Sequence, residues 1–337
     1  MSVPRVVVAA GCLVLVLLAG LLPAPPSADA QKSDKVYRIG YMSIPSRQSA
    51  AALIDRVFLP ALRERGLIAG KNLVIEWRWA DGKAERLAGF AAELVALKVD
   101  LIVAPQSDSA LMAKRATRSI PIVHIVAGDP IADGLVKSLS RPEGNVTGLT
   151  SVAGPEIDGK RLELLKAATG ASRIAVLTNP ARRSPTSAQG LKQAEAAART
   201  LGVRLQMLEA RNPEQFEPAF TAMTRGRSEA VLVSADSMFW LHRQRLAELE
   251  VKHRVPASYG LLEHVEAGGL MSYGVDLSDL FRRSTVYIDR ILKGAKPADL
   301  PIERPTKFSL AINLKTARAL GLAIPPSLLL QADRVVE

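Results

Sequence analysis

The segment Arg38-Ile39-Gly40-Tyr41-Met42-Ser43 has a counterpart 135 residues later in Arg173-Ile174-Ala175-Val176-Leu177-Thr178. Three further correspondences follow in the same order. Gly66-Leu67 matches Gly202-Val203 at an offset of 136, Ser107-Asp108-Ser109 matches Ala235-Asp236-Ser237 at 128, and Ile120-Pro121 matches Val255-Pro256 at 135. One match alone carries little weight, but four in order at nearly one spacing point to two similarly built units. The 337 residues are enough to give each unit its own core.

Each unit alternates short β-rich runs with longer amphipathic ones. The pattern predicts strands at Tyr37–Met42, Leu73–Trp77, Leu101–Ala104 and Ile120–Val126, and helices at Ala51–Arg65, Ala84–Leu97 and Ala110–Arg118. Such alternation builds parallel sheets covered by helices on both faces. The fold expected is therefore α/β, with two similar doubly wound parallel-sheet domains joined by a hinge. The first spans 36–148 and is completed by about 276–303; the second spans 149–275 and is completed by about 304–337. The crossings are expected near Gly144–Gly154, Gly268–Gly274 and Pro301–Thr306, where glycine and proline gather. Several short crossings make a hinge with a cleft between the domains.

The N-terminus reads as an export signal over residues 1–30. Arg5 precedes an apolar run of 17 residues, Val6 to Leu22, then prolines and Ala28-Asp29-Ala30, with Gln31 as the expected mature start. A periplasmic location follows. A lipidated Cys12 and an uncleaved anchor are the alternatives. Cys12 is the only cysteine, so cleavage after Ala30 leaves no disulfide, thiolate nucleophile or cysteine metal site. The formal charge of +11 comes from residues scattered along helical faces, without the interleaved aromatics of a nucleic-acid platform. A basic solvated surface is the reading, with no nucleic-acid partner.

In open parallel sheets, ligands bind beyond the carboxyl ends of the strands, where helix N-termini favour anions. The loops at those positions supply the candidate ligand-binding residues: Ser43, Ser107, Ser109 and Asp129 from the first unit, and Asn179, Asp236 and Glu263 from the second. Serines offer donors to a carboxylate and acids offer acceptors to an ammonium, a set suited to a zwitterion. Helix capping alone also explains serine and aspartate at strand–helix junctions. Phosphate-loop, dinucleotide, zinc-protease and nucleophile-elbow motifs are all missing, and the four histidines have no metal spacing. No cofactor, metal or catalytic residue is expected. His124 and the tryptophans Trp77, Trp79 and Trp240 read as packing residues, whereas the loop of His264 is expected to face the cleft.

Long stretches of the chain resemble a known family. They include Gly66–Val74, Val99–Ala104, Ile120–Val123, Asp129–Leu139, Arg141–Gly148, Asn179-Pro180, Ser272–Asp276 and Ile291–Pro301. The run DP-x-x-x-GLV-x-SL-x-x-P-x-GN-x-TG is the most specific. The resemblance is to the solute-binding proteins of ABC importers, tryptophan-type binders among them, with the type I periplasmic-binding fold. It implies a non-enzymatic monomer that traps a small amino-acid-like ligand by hinge closure and presents it to a membrane permease. The loop Ser43–Arg47 and the pair Arg182-Arg183 occupy variable places in that family and would suit a more acidic ligand. The other readings are an exported ligand sensor for a membrane receptor, and an α/β enzyme with a cleft active site.

Overall fold

The computed structural model describes residues 35–337 except 155 and 181–184. The export signal, its cleavage point and the pair Arg182-Arg183 lie outside the described residues. Among the described residues, twelve strands form two sheets. The first holds β1 (Tyr37–Ser43), β2 (Leu73–Trp79), β3 (Leu101–Val103), β4 (Ile122–Ala127) and β5 (Val146–Thr150), all parallel, in the order β2-β1-β3-β4-β5. The second contains β6 (Arg173–Thr178), β7 (Arg204–Glu209), β8 (Ala230–Val233), β9 (Ala257–Tyr259), β10 (Met271–Val275), β11 (Phe308–Asn313) and β12 (Arg334–Val336), ordered β12-β11-β10-β9-β8-β6-β7. Reading the second sheet from β7 to β10 repeats the first strand for strand, so the sequence duplication is a duplication of topology. The departures from a purely parallel design are β11, which runs antiparallel to β10, and β12, which is parallel to β11 and so shares its reversed direction.

Period-two alternation divides each strand between two cores, because neighbouring side chains leave opposite faces. On one face of the first sheet, Ile39, Tyr41, Val103, Ile125 and Leu149 pack against Ile54, Phe58 and Leu62 of the helical segment 51–64. On the other face, Met42, Ile102, Ile122 and Val146 meet Leu87, Leu94 and Ala110. The second sheet repeats the arrangement, with Val176 and Leu232 against Leu162 and Leu165, and Leu177 and Val233 against Phe220 and Leu246. Each such fully buried side chain contributes roughly 1.5–3 kcal/mol. Trp77 and Trp79 stack at 5.4 Å and flank Tyr41 at 4.9 and 5.1 Å, the packing role expected of them.

Two glycines enforce equivalent close approaches. A Cβ on Gly148 of β5 would lie 2.0 Å from the carbonyl oxygen of His124, and one on Gly274 of β10 would lie 1.8 Å from that of Gly260. Only glycine lets these strands seat against β4 and the end of β9.

The chain passes between the sheets after β5, around Asp276, and again before β11. Between the last two passages the helix Leu277–Leu292 returns to the first sheet, with Leu280, Phe281, Ile288 and Ile291 in the same core as Ile39 and Tyr41. The return segment is tied down by Thr147 Oγ1 to Leu300 O at 2.6 Å and Thr150 N to Glu303 O at 3.0 Å. Arg283 holds it further, paired with Glu303 and donating to Thr306 Oγ1 at 3.3 Å. Among the described residues no helix is long and apolar enough to cross a membrane.

Candidate functional site

A sheet ordered 2-1-3-4-5 has its topological switch point between the first and third strands, where successive connections leave in opposite directions and open a crevice. The switch points here lie between β1 and β3 and between β6 and β8. A hydrogen bond between side chains spans each of them. Ser43 Oγ, at the end of β1, donates to Oε1 of Gln106 at 3.2 Å, and Asn179 Nδ2, after β6, donates to Oδ1 of Asp236 at 3.3 Å.

The serines of the first lobe are engaged inward. Ser43 is 1% exposed and spends its proton on Gln106. The Ser107 hydroxyl donates to Asp133 Oδ2 at 2.6 Å and accepts from Gly128 N at 2.9 Å. Ser109 is fully buried, donates to Gln106 O at 2.8 Å and accepts Gln106 N at 3.2 Å, closing the first turn of the helix Ser107–Ala116. Each hydroxyl has one proton, so none of the three can donate to a carboxylate as arranged here. What Ser43 and Ser107 can still offer is lone pairs. Asp129 accepts Ile131 N and Ala132 N on Oδ1, both at 3.1 Å, and so shapes the loop that carries Asp133.

In the second lobe Asp236 is an N-cap, accepting Met238 N at 2.8 Å on the oxygen that also receives Asn179. Its Oδ2 makes neither bond. Glu263 opens the helix Leu262–Glu266, and its Oε2 is shut off from solvent without a hydrogen-bond partner. Burial pushes its carboxyl up to about 7, opposed by the nearby Arg243. Arg243 itself lies over the Trp240 ring at 4.5 Å, and the buried Trp240 indole N–H faces the Glu263 carboxyl and favours its charged form, although neither atom has a partner at full hydrogen-bond geometry among the described residues. His264 does not face the cleft. It is buried and stacks on Tyr259 at 4.6 Å, with Nδ1 3.3 Å from Leu261 O, and desolvation lowers its pKa to about 3. His124 is core, as expected, with Nδ1 2.8 Å from Leu149 O.

Gln106, Asp133 and Arg161 also build the site. Gln106 belongs to the same strand-end loop as Ser107 and Ser109, one of the polar loops the sequence offers to the cleft. Asp133 lies within a turn-rich stretch and gives no periodic signal. Arg161, on the helix Ile157–Thr169, is 1% exposed and reaches the carboxyl ends of two strands, bonding Val233 O of β8 and Ser258 O of β9, the latter at 3.1 Å. Asp158 meets its other terminal nitrogen at 2.8 Å. Contacts between the lobes are also present: Leu241 packs on the first-lobe core that contains Met42 and Ala127, and Leu261 on the core that contains Tyr41 and Phe281. Among the described residues, no group of three or more His, Cys, Asp or Glu side chains could hold a metal ion.

A sequence profile described as ABC transporter substrate binding protein matches residues 43–336. A tyrosine-binding protein of Clostridioides difficile strain R20291 is 27% identical over 267 residues, covering 79% of this chain and 75% of that one. Among solved structures, an ABC domain in complex with L-Trp from Streptococcus pneumonia is 28% identical with a TM-score of 0.79, covering 90% of this chain and all of the other. A ligand-free, open substrate-binding protein from Clostridium difficile, 24% identical over 89% of this chain and 99% of its own, shares the fold at a TM-score of 0.68. Two duplicated α/β lobes, their paired switch points and a profile match over most of the length agree: the chain belongs to the ABC transporter substrate-binding protein family, extracytoplasmic ligand binders rather than enzymes.

Proposed function

We propose that this protein is the periplasmic solute-binding component of an ABC importer, holding a small amino-acid-like ligand between its lobes and presenting it, as a monomer, to a membrane permease. In this reading the export signal is cleaved after Ala30 and the lobes are the units 36–148 with 276–303, and 149–275 with 304–337. The observation that carries it is the mirrored pair of strand-end sites, one per lobe, each at a topological switch point. The named ligands of the two relatives above, tyrosine and L-Trp, support the ligand class. Asp236 and Glu263 supply acceptors for an ammonium, and Asn179, Asp129, Ser43 and Ser107 complete the rim. Ser109, fully buried, shapes the loop from behind.

A thermal-shift screen of the mature protein against the twenty L-amino acids tests this. A ligand at 100 times its Kd adds about 2.7 kcal/mol, a rise in Tm of roughly 5–10 °C. If no amino acid raises Tm, or if the one that does is chemically converted, the proposal fails.

A further inference from the structure

We propose that the side chain of Gln106 is the first lobe's reader of the ligand's carboxylate, a specificity-determining donor set opposite the acceptor Asp236. The inference rests on the amino-acid-binding reading above and identifies the donor that the serines, as arranged, cannot supply. A carboxamide has two distinguishable ends, and here the surroundings decide which faces inward. The Ile44 backbone N–H, 3.4 Å from the Gln106 side chain, can only donate, so the atom facing it is the oxygen. Ser43 Oγ donates to the same Oε1 at 3.2 Å. The inward end is thereby fixed as acceptor, and Nε2, with two protons, is turned away from both donors. Among the described residues no group accepts from Nε2, and Gln106 is partly exposed, so Nε2 is available to a ligand. The capping box of the following helix uses the same inward end, the Gln106 side chain accepting from the Ser109 backbone N–H while Ser109 Oγ accepts from Gln106 N at 3.2 Å, so this duty also falls on the oxygen.

The second lobe holds the complementary arrangement at its equivalent switch point. There one carboxylate oxygen of Asp236 is consumed by Asn179 and Met238 N, leaving Oδ2 as an acceptor. One lobe thus offers a fixed pair of N–H donors and the other a fixed anionic oxygen. A ligand with a carboxylate at one side and an ammonium at the other satisfies both. Ser43 acts through Gln106 as a positioning residue, locking the amide's orientation so that little rotamer entropy is lost on binding.

The experiment is a ligand-by-variant cycle measured by calorimetry. The probes are the amino acid that binds the wild-type protein most tightly, expected to be L-tyrosine or L-tryptophan, and its decarboxylated amine, tyramine or tryptamine. Gln106→Met, which keeps length and removes the donors, should weaken the amino acid about tenfold or more while changing the amine by less than about twofold. Gln106→Glu, which places a negative charge there, should weaken the amino acid further, about a hundredfold, and should not weaken the amine. Far-UV circular dichroism and Tm confirm that both variants fold, and the glutamate variant's gain or retention of amine binding reports a folded site independently. Equal losses for amino acid and amine, or amino-acid affinity within twofold of wild type in Gln106→Met, would overturn the assignment. If no amino acid binds the wild-type protein, the functional reading itself falls, and this inference with it.

Discussion

Replacing Arg161 by leucine should unseat the second lobe's half of the site. The guanidinium is buried and is the donor to Val233 O and Ser258 O, the carbonyls at the carboxyl ends of β8 and β9. Leucine leaves both without that donor, at about 1–3 kcal/mol for each buried unpaired group. It also strips Asp158 of its ion-pair partner, a smaller loss because that carboxylate is 27% exposed and can hydrate. The total expected is roughly 3–5 kcal/mol, the usual cost of deleting one member of a buried pair. Arg161→Lys retains the charge but not the fork that spans two carbonyls, and should lose about half as much. Urea titrations followed by fluorescence and circular dichroism give both values. Asp236 lies three residues beyond Val233 and Glu263 five beyond Ser258, so ligand affinity should fall alongside stability. A loss below about 1 kcal/mol for the leucine variant would refute the claim that this cation organises the strand ends.

Two further outcomes follow from buried groups elsewhere. Glu250 is fully buried, accepts Ala257 N at 2.8 Å, Tyr259 Oη at 2.9 Å and Leu270 N at 3.2 Å, and desolvation raises it from 4.5 to about 8. A raised carboxyl means that the folded state holds a proton the unfolded chain has released, so its contribution is full below pH 4.5 and is lost as pH rises to about 8. Thermal melts should therefore show a smaller drop in Tm between pH 5 and pH 8 in Glu250→Gln than in the wild type; an unchanged drop would mean that this group does not titrate there. Gly148→Ala and Gly274→Ala each drive a methyl group onto a carbonyl oxygen and should cost roughly 3 kcal/mol or more. Denaturant midpoints within error of wild type would contradict the close approach of those strands.

Much of the fold was legible because it is written in local patterns. Strands such as Tyr37–Ser43 and Leu73–Trp79 carry their own β-branched and aromatic signal, and the repeat spacing exposes the duplication without any knowledge of pairing. The reversal of β11 had no such signal, since strand direction depends on where a distant segment returns. Nor did the π-helical turn Ile54–Phe58, which interrupts a helix that reads as continuous; Pro60 has no N–H to give to Arg56 O, four residues before it. At the site, the strand-end rule placed the right loops but not the direction of each proton. Ser43, Ser107 and Ser109 look like donors in sequence, yet each is turned inward by a partner 63, 26 or 3 residues away. Arg161 was invisible for the same reason: beside Asp158 it reads as an ordinary surface pair on a helix, and only the tertiary fold buries it.

The passage of helix Leu277–Leu292 back to the first sheet sets an order on biosynthesis. The face formed by Ile39, Tyr41, Val103 and Ile125 is completed by a helix that follows β10 in the chain, so the first lobe stays open until the sheet strands β6–β10 have been made. A chain cut at residue 276 would leave that apolar face covered by the segment 51–64 alone, with the surface that meets Leu280, Phe281 and Ile288 exposed. The late arrival of this helix postpones closure of the first core until nearly the whole chain has been made, and it binds the two lobes into a shared folding event.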